Sequence, residues 1–328
     1  MSESAPDERT GLISSPRATD RGDLVYVAYL LLPLPVFLQL GRVLGWLEML
    51  ARPKARRAVR RNLERAFDST KSRREIARLT RQVFEYHEMR VLMLLVAPLM
   101  AARGQLEKYF PLRNVGHIDR ALESGKGVMI LGAHINSIGG LLAVVQLRRL
   151  GYDVQCPMPD RNDAWAPTPF RRLVHRLLKA TPLFESIGAF YAQFNVRKIV
   201  KLLDSGGVVL MMGDGWHSVS FVDAPFLGRC LPFTIGPLNL ARLAGVPVVP
   251  LFSVGAPNHM HFEIEPAFIV DRAGPQQEEV ARKVRYFVSR VEQRMLADIP
   301  SWQHWMEDDV FGTLEGWRQR PLGERYAT

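Results

Sequence analysis

Two hydrophobic patterns divide the chain. From about residue 54 to 100, apolar residues recur at spacings of three and four with charged residues between them, which is typical of amphipathic helices. Beyond residue 110, short aliphatic runs bounded by Gly or Pro predict buried strands. These runs are GVMIL (127–131), VVLMM (208–212) and VPVVPLF (246–252), and the alternating run HFEIE (261–265) could form an edge strand.

Helical segments alternate with these strands. They are predicted at about 137–150, 170–180, 196–204 and 234–244. A longer helix is predicted from Gln276 to Asp298, with an apolar stripe formed by Val280, Val284, Val288, Val291 and Met295. Strands that alternate with helices predict an α/β fold, with a central, mostly parallel or mixed sheet flanked by helices.

The N-terminal part of the chain predicts contact with a membrane. No charged residue occurs from Leu24 to Gly41. A spanning helix needs roughly 20 apolar residues, so this run is marginal, and Pro33 and Pro35 would kink it. The basic run that follows, 52–65, is typical of a cytoplasmic-side anchor on anionic lipid. The alternative is a buried core helix beside a solvated basic helix.

The net charge and the cysteine content indicate which classes of partner the protein could bind and in which cellular compartment it works. The formal net charge of +10 suits an anionic bilayer, an acidic carrier protein, a phosphorylated substrate or nucleic acid. Nucleic acid is the weakest of these, because the basic run has no interleaved aromatic residues and no zinc-finger or RNP-like motif occurs. Cys156 and Cys230 form no CxxC pair, which favours a reducing, cytoplasmic setting.

Two turns at predicted strand ends carry the candidate catalytic residues. His134 lies in the turn after GVMIL, and Asp214 lies in the turn after VVLMM. The carboxyl ends of strands form the mouth of an α/β sheet, where reactive side chains are placed. A neutral imidazole there could take a proton from a hydroxyl that attacks a thioester, and Asp214 could orient it or contact a substrate hydroxyl. A capped histidine packed in a turn and an ordinary Asp-Gly turn are the alternatives.

Four further residues are candidates for substrate binding. Asn136 and Trp216 lie in the same two turns as the catalytic candidates. Arg229 is the only cation between Val219 and Asn239, and Arg242 follows in the next predicted helix. An arginine can clamp a phosphate bidentately, although a structural arginine at the surface of a turn explains the pattern equally well.

No metal or cofactor is predicted. The scattered histidines do not fall at metal-ligand spacing; they are His117, His134, His217, His259 and His261. The GxSxG, GxxxxGK[ST], GxGxxG and HExxH motifs do not occur in the sequence.

Several segments, taken in order, resemble the lysophospholipid and lipid A-type acyltransferases, the late acyltransferase branch of bacterial lipid A biosynthesis. They are RRAVRRNLERAF, GVMILGAHINSIG, RKIVKLLDSGGVVLMMGDG, PFLGRCLPFTIGPLNLARLAGVPVVPLF and IPSWQHWMED. The resemblance implies a glycerolipid acyltransferase-like α/β fold, a membrane-associated N-terminus, no metal and a His-x4-acid catalytic pair. In this chain the acid position holds Gly139, and Asp214 is our first candidate to replace it.

The resemblance also implies a function. A fatty acyl group would move from acyl carrier protein or acyl-CoA to a lipid or lipid-like acceptor, with His134 as general base and no cofactor. The site of action would be the cytoplasmic face of the bacterial inner membrane. The chain would consist of a flexible tail (1–22), a membrane anchor or interfacial helix (23–50) and an acyltransferase domain (51–328). That domain would be helical from 51 to 110 and α/β from 111 to 328.

Two other functions stay open at this point. Because the usual acid is replaced by Gly139, the chain could be a catalytically silent homologue that binds a lipid or a carrier protein. A thioesterase or lipid hydrolase is the third possibility. A carboxylate oxygen within roughly 2.6–3.2 Å of an imidazole nitrogen of His134 would restore the catalytic pair.

Overall fold

The structure is a computed structural model that describes residue 29 and residues 31–67, 70–136, 138–157, 195–215 and 220–317. The tail predicted at 1–22, the helix predicted at 170–180 and the candidate Trp216 lie outside the described residues. Elements are numbered here along the described part of the chain.

Helices form the first part of the described chain. They are α1 (Leu34–Ala51), α2 (Pro53–Phe67), α3 (Arg73–Ala102) and α4 (Gln105–Tyr109). The α/β part then comprises β1 (Leu112–Arg113), α5 (Gly116–Leu122), β2 (Val128–Gly132), α6 (Ile138–Arg149), β3 (Val154–Gln155), α7 (Val196–Asp204) and β4 (Val208–Met212). It continues with β5 (Phe221–Phe226), β6 (Arg229–Thr234), α8 (Gly236–Ala244), β7 (Val248–Val254), β8 (His261–Ile264) and α9 (Gln276–Ala297). Two 3-10 turns, Ile299–Ser301 and Gln303–Met306, and helix α10 (Val310–Trp317) complete it.

A curled, mixed sheet of six strands organises the α/β part, in the order β1-β8-β7-β2-β4-β3. The described pairs are parallel except β7 with β8, which is antiparallel. The predicted α/β class is confirmed, and the predicted strand 208–212 and helix 196–204 have the bounds of β4 and α7. The edge position suggested for HFEIE is wrong, because β8 lies between β1 and β7. The apolar and polar residues alternate in this strand because Phe262 and Ile264 are buried on one face, while His261 and Glu263 on the other face are less buried.

Two apolar cores cover the two faces of this sheet, because successive side chains of a strand point to opposite faces. Met129 and Leu131 of β2 pack into one core, together with the predicted stripe of α9 from Val280 to Met295, which is buried. Val128 and Ile130 pack into the other, together with the C-terminal half of α3 and with α6. Burial on both faces explains why β2 is a continuous apolar run.

A hairpin of β5 and β6 was not predicted from the sequence. The two strands pair antiparallel with Phe226 opposite Arg229, so Leu227 and Gly228 form the connection. Both have positive φ angles, 52° and 70°, which is the geometry of a type I′ turn. The usual signal for this turn is Asn-Gly or Asp-Gly, and a leucine in the first position hides it.

Helix α1 begins later in the chain than the uncharged run. Tyr29 and Leu31 are also helical, and the helix is interrupted at Leu32 and Pro33, so the break predicted at these prolines is present. Pro33 caps α1 and Pro35 lies in its first turn, where the missing N–H donor is not needed. The helix has 18 residues, about 27 Å at 1.5 Å per residue, and continues past Arg42 to Ala51. By length and composition it is the one helix among the described residues that is apolar enough to cross a membrane, a test that a core helix can also pass.

One face of α1 packs closely on α3. A Cβ atom added to Gly45 would lie 2.4 Å from the carbonyl oxygen of Phe84, and one added to Gly41 would lie 2.7 Å from Cα of Met89. Only glycine allows the two backbones to approach this closely. The opposite face is apolar and exposed; it consists of Val36, Leu40, Val43, Leu44, Trp46, Leu47 and Leu50.

Replacing Gly45 with alanine is expected to destabilise the protein by about 1–3 kcal/mol, because the added methyl group overlaps the α3 backbone. The matched control is Gly116→Ala in α5, where an added Cβ meets nothing within 4 Å. Thermal unfolding of both variants in the same detergent gives the comparison. Equal midpoints for the two variants would contradict the close packing of α1 on α3.

Candidate active site

Two neighbouring parallel strands bring His134 and Asp214 together. β2 pairs with β4 in a register that sets Gly132 opposite Met212. The N–H of Gly213 donates to the carbonyl oxygen of Gly132 at 2.8 Å, so the pairing continues into the turns. His134 and Asp214 each follow the last residue of their strand by two positions. Equal offsets on adjacent parallel strands put the two side chains at the same edge of the sheet.

A hydrogen bond joins the two side chains. Nδ1 of His134 lies 2.7 Å from Oδ1 of Asp214. The backbone N–H of His134 also donates to this carboxylate, with distances of 3.0 Å to Oδ1 and 2.8 Å to Oδ2. Because an ionised carboxylate only accepts, Nδ1 carries the proton of the neutral imidazole, and Nε2 keeps a lone pair that can accept one.

Burial and charge act in opposite directions on this pair. Burial alone would lower the pKa of His134, but the charge of Asp214 and its hydrogen bond outweigh this and raise the pKa above its usual 6.5. Burial alone would raise the pKa of Asp214, but His134 and its hydrogen bonds hold that pKa below its usual range. The His134 side chain is 22% exposed while that of Asp214 is 0% exposed, so the base is accessible and the acid is sealed.

A third and a fourth side chain border the carboxylate, and neither was named as a candidate from the sequence. The indole N–H of Trp302 donates to Oδ2 of Asp214 at 3.1 Å. The ring of His304 lies 4.5 Å from the ring of His134, centroid to centroid, and its Nε2 lies 3.7 Å from Oδ2 of Asp214. Burial, together with the neighbouring charge of His134, lowers the pKa of His304. The tryptophan-rich run WQHW was the signal that could have identified this segment.

Backbone pairing holds the turn after β2 against the C-terminal segment. Ile135 and Trp302 form an antiparallel bridge. The N–H of Gln303 donates to the carbonyl oxygen of His134 at 2.8 Å, and the N–H of Asn136 donates to that of Ser301 at 2.8 Å. His134 is therefore fixed by its own backbone as well as by its side chain.

Asn136 has a structural position in this turn. Its φ angle is 45°, in the left-handed region that Asn tolerates better than most residues. Its side-chain Nδ2 donates to the carbonyl oxygen of Gly255 at 2.7 Å. The buried guanidinium of Arg90, whose pKa burial lowers to about 10, donates to the carbonyl oxygen of Ser301 at 2.9 Å and to Oδ1 of Asn136 at 3.4 Å. These contacts fix the turn, and the substrate contact expected of Asn136 stays a prediction.

The two candidate arginines have contacts elsewhere in the fold. Arg229 donates to the carbonyl oxygen of Arg65 at 3.3 Å, and its guanidinium lies 5.2 Å from the ring centroid of Phe311. Arg242 lies in the last turn of α8 and donates to backbone carbonyl oxygens at 2.9–3.1 Å; these belong to Asp271, Arg272 and Gly274. Their roles in phosphate binding stay predictions.

Two clusters of described residues bring three possible metal ligands within 4.8 Å of one another. One is His134 with Asp214 and His304, and the other is Glu48 with His87 and Glu88. In the first cluster both carboxylate oxygens already accept N–H donors, which a His–Asp pair explains without an ion. The second lies between α1 and α3, with Glu48 and His87 partly buried and Glu88 buried.

Comparisons with known proteins bear on the first half of the chain. No curated protein matches the sequence. The family model described as bacterial lipid A biosynthesis acyltransferase matches residues 22–161, a stretch that includes α1 to α6 and His134 and ends before Asp214. The chain is therefore similar to the bacterial lipid A biosynthesis acyltransferases, and the resemblance inferred from its sequence is confirmed over residues 22–161.

Proposed function

We propose that the protein is a lipid acyltransferase in which His134 is the general base and Asp214 is its acid partner. The family suggests acyl transfer to lipids. The observation that carries the mechanism is the 2.7 Å hydrogen bond between Nδ1 of His134 and Oδ1 of Asp214. In this proposal Asp214, on the strand next to that of His134, does the work of the acid that Gly139 cannot supply.

The proposed reaction needs one base and no enzyme nucleophile. The acceptor hydroxyl or amine gives its proton to Nε2 of His134 while its oxygen or nitrogen attacks the thioester carbonyl of the donor. The new acyl bond forms, the carbon–sulfur bond breaks, and the departing thiolate takes the proton back from the imidazolium. Asp214 keeps the reactive tautomer in place and stabilises the imidazolium between the two proton transfers.

In this proposal the acyl donor is a carrier-bound thioester and the acceptor is a lipid. The positive net charge of +10 suits an acidic acyl carrier protein, and it would suit acyl-CoA as well. The acceptor is a lipid or lipid-like molecule, which fits an exposed apolar helix beside the catalytic domain. The location we propose is the cytoplasmic face of the bacterial inner membrane.

We further propose that α1 lies in the plane of the membrane. Its exposed face is apolar, while its other face packs along α3 beside Glu85. A helix held in this way cannot cross the bilayer without drawing Arg81, Glu85 and Arg90 of α3 into hydrocarbon, which is costly. The exposed basic side chains of α2 follow directly and suit anionic headgroups; they are Lys54, Arg56, Arg57, Arg60 and Arg61.

Replacing His134 with alanine is expected to lower acyl transfer by about 10²–10⁴-fold, because the proton of the acceptor then has no base. The assay uses purified full-length protein, a radiolabelled acyl thioester and a panel of lipid acceptors. The control is His259→Ala, which removes an exposed histidine from another turn. Acyl transfer by His134→Ala at the wild-type rate would contradict the proposal. No transfer by the wild type would support the silent homologue, and labelled fatty acid released without acceptor would support a hydrolase.

The pH dependence of kcat/KM follows from the raised pKa of His134. The base must be neutral, so kcat/KM is expected to fall as the pH drops through that pKa. The midpoint of this fall, the acid limb of the profile, is expected at a pH above 6.5, the usual pKa of histidine. In Asp214→Asn the charge that raises this pKa is gone and burial still lowers it, so the limb should move to lower pH while the plateau also falls. The measurement is kcat/KM from pH 5 to 9, and a limb that stays in place in Asp214→Asn would contradict the pair.

Membrane binding is expected to depend on the exposed face of α1. Leu47→Glu puts a charge on that face and should weaken binding to anionic vesicles about tenfold or more. Leu296→Glu on α9 is the matched control, because the two leucines are 47% and 46% exposed. Flotation with anionic and zwitterionic vesicles at low and high salt measures the effect. Equal loss of binding in both variants would argue against α1 as the contact surface.

A further inference from the structure

The segment 299–306, which contains the two 3-10 turns, borders the proposed catalytic pair, and the mechanism gives it no role. Its Trp302 is 1% exposed, and the indole N–H donates to Oδ2 of Asp214 at 3.1 Å. The other carboxylate oxygen, Oδ1, faces Nδ1 of His134. A carboxylate held by a different donor on each oxygen cannot rotate without losing a hydrogen bond.

Trp302 is itself firmly held. Its ring makes edge-on or tilted contacts with Trp305 at 4.9 Å and with Phe226 at 5.3 Å between ring centroids. Its backbone bridges to Ile135, one residue after His134. Oδ2 therefore has two donors, the indole and the backbone N–H of His134 at 2.8 Å, and the backbone bridge holds the residue that carries the indole against the turn that carries the base.

We propose that Trp302 is a positioning residue for acyl transfer: its indole N–H holds Oδ2 of Asp214 and thereby keeps Oδ1 directed at Nδ1 of His134. This inference rests on the proposed function and adds the C-terminal segment to the machinery. Trp302 acts through Asp214, because that carboxylate lies between it and the base.

The contact has an electrostatic consequence that separates Trp302 from a merely structural tryptophan. An N–H donor withdraws charge from the carboxylate, so its removal leaves Asp214 more basic and His134 easier to protonate. Removing the carboxylate charge has the opposite effect on His134. The titratable groups that act on His134 are Asp214, His304 and Glu307, and a substitution at Trp302 removes none of them.

Trp305 offers a matched control in the same segment. It is 0% exposed, and its indole N–H donates to the carbonyl oxygen of Ile299 at 2.7 Å. Replacing it with phenylalanine removes an indole N–H from the same core but keeps an aromatic ring at the contact with Trp302, so the hydrogen bonds of Asp214 are expected to stay in place.

The test compares kcat, KM and the pH profile of the wild type with Trp302→Phe, Trp305→Phe and Asp214→Asn, all as full-length protein in detergent. For Trp302→Phe we expect kcat to fall about tenfold with little change in KM, and the acid limb to move to higher pH. For Asp214→Asn the limb should move to lower pH, and for Trp305→Phe it should not move. If Trp302→Phe behaves as Trp305→Phe does while Asp214→Asn loses activity, the inference fails and the proposed function stands. Activity retained by His134→Ala would instead remove the proposed function.

A second measurement is independent of activity and of the folding of the Trp302 variant. In ¹⁵N-labelled protein, the indole N–H signal of Trp302, assigned through the contact of its ring with Phe226, should shift between the wild type and Asp214→Asn. The indole signal of Trp305 should stay in place, because its acceptor is the carbonyl oxygen of Ile299. An unmoved Trp302 signal in Asp214→Asn would overturn the proposal.

Discussion

A fully buried carboxylate is the constraint on which the candidate site depends. An ionised Asp214 with no exposed side-chain surface is tolerated only if N–H donors replace the water it has lost. Three such donors are present, from the backbone of His134, the ring of His134 and the indole of Trp302. They come from the turn after β2 and from the C-terminal segment, so the sheet and that segment must fold together before the charge is stable.

Of this arrangement, the sequence suggested the pairing of His134 with Asp214, because both residues follow predicted strands. Short apolar runs located β2 and β4, and the rule that the carboxyl ends of strands form the mouth of an α/β sheet suggested that His134 and Asp214 lie near one another; that the two strands are neighbours comes from the structure. Nothing in the spacing of residues predicts that Trp302 reaches the same carboxylate, because that contact depends on the path of the chain after α9. His304 was missed for the same reason, although its motif was part of the family resemblance.

The arginines show a different limit of sequence analysis. A lone cation in an apolar stretch has the same pattern whether it binds a phosphate or the carbonyl oxygens of a nearby loop. In Arg242 the guanidinium donates to three backbone carbonyls after β8, which could not be seen before the loop was placed. The prolines before α1 were easier to interpret: a proline cannot donate the N–H that continues a helix, and the helical residues Tyr29 and Leu31 are separated from α1 at Leu32 and Pro33.

The two glycine contacts between α1 and α3 have a consequence for the choice of acceptor. At these contacts the backbones of the two helices pack directly against each other, with no side chain between them. The buried Arg90 of α3 also donates a hydrogen bond to Ser301, beside the catalytic turn. With α1 resting on the lipid surface as proposed, the height of His134 above that surface is then a constant of the fold. Under the proposed function, the acceptor would then be the lipid whose hydroxyl or amine lies at that same height above the bilayer surface.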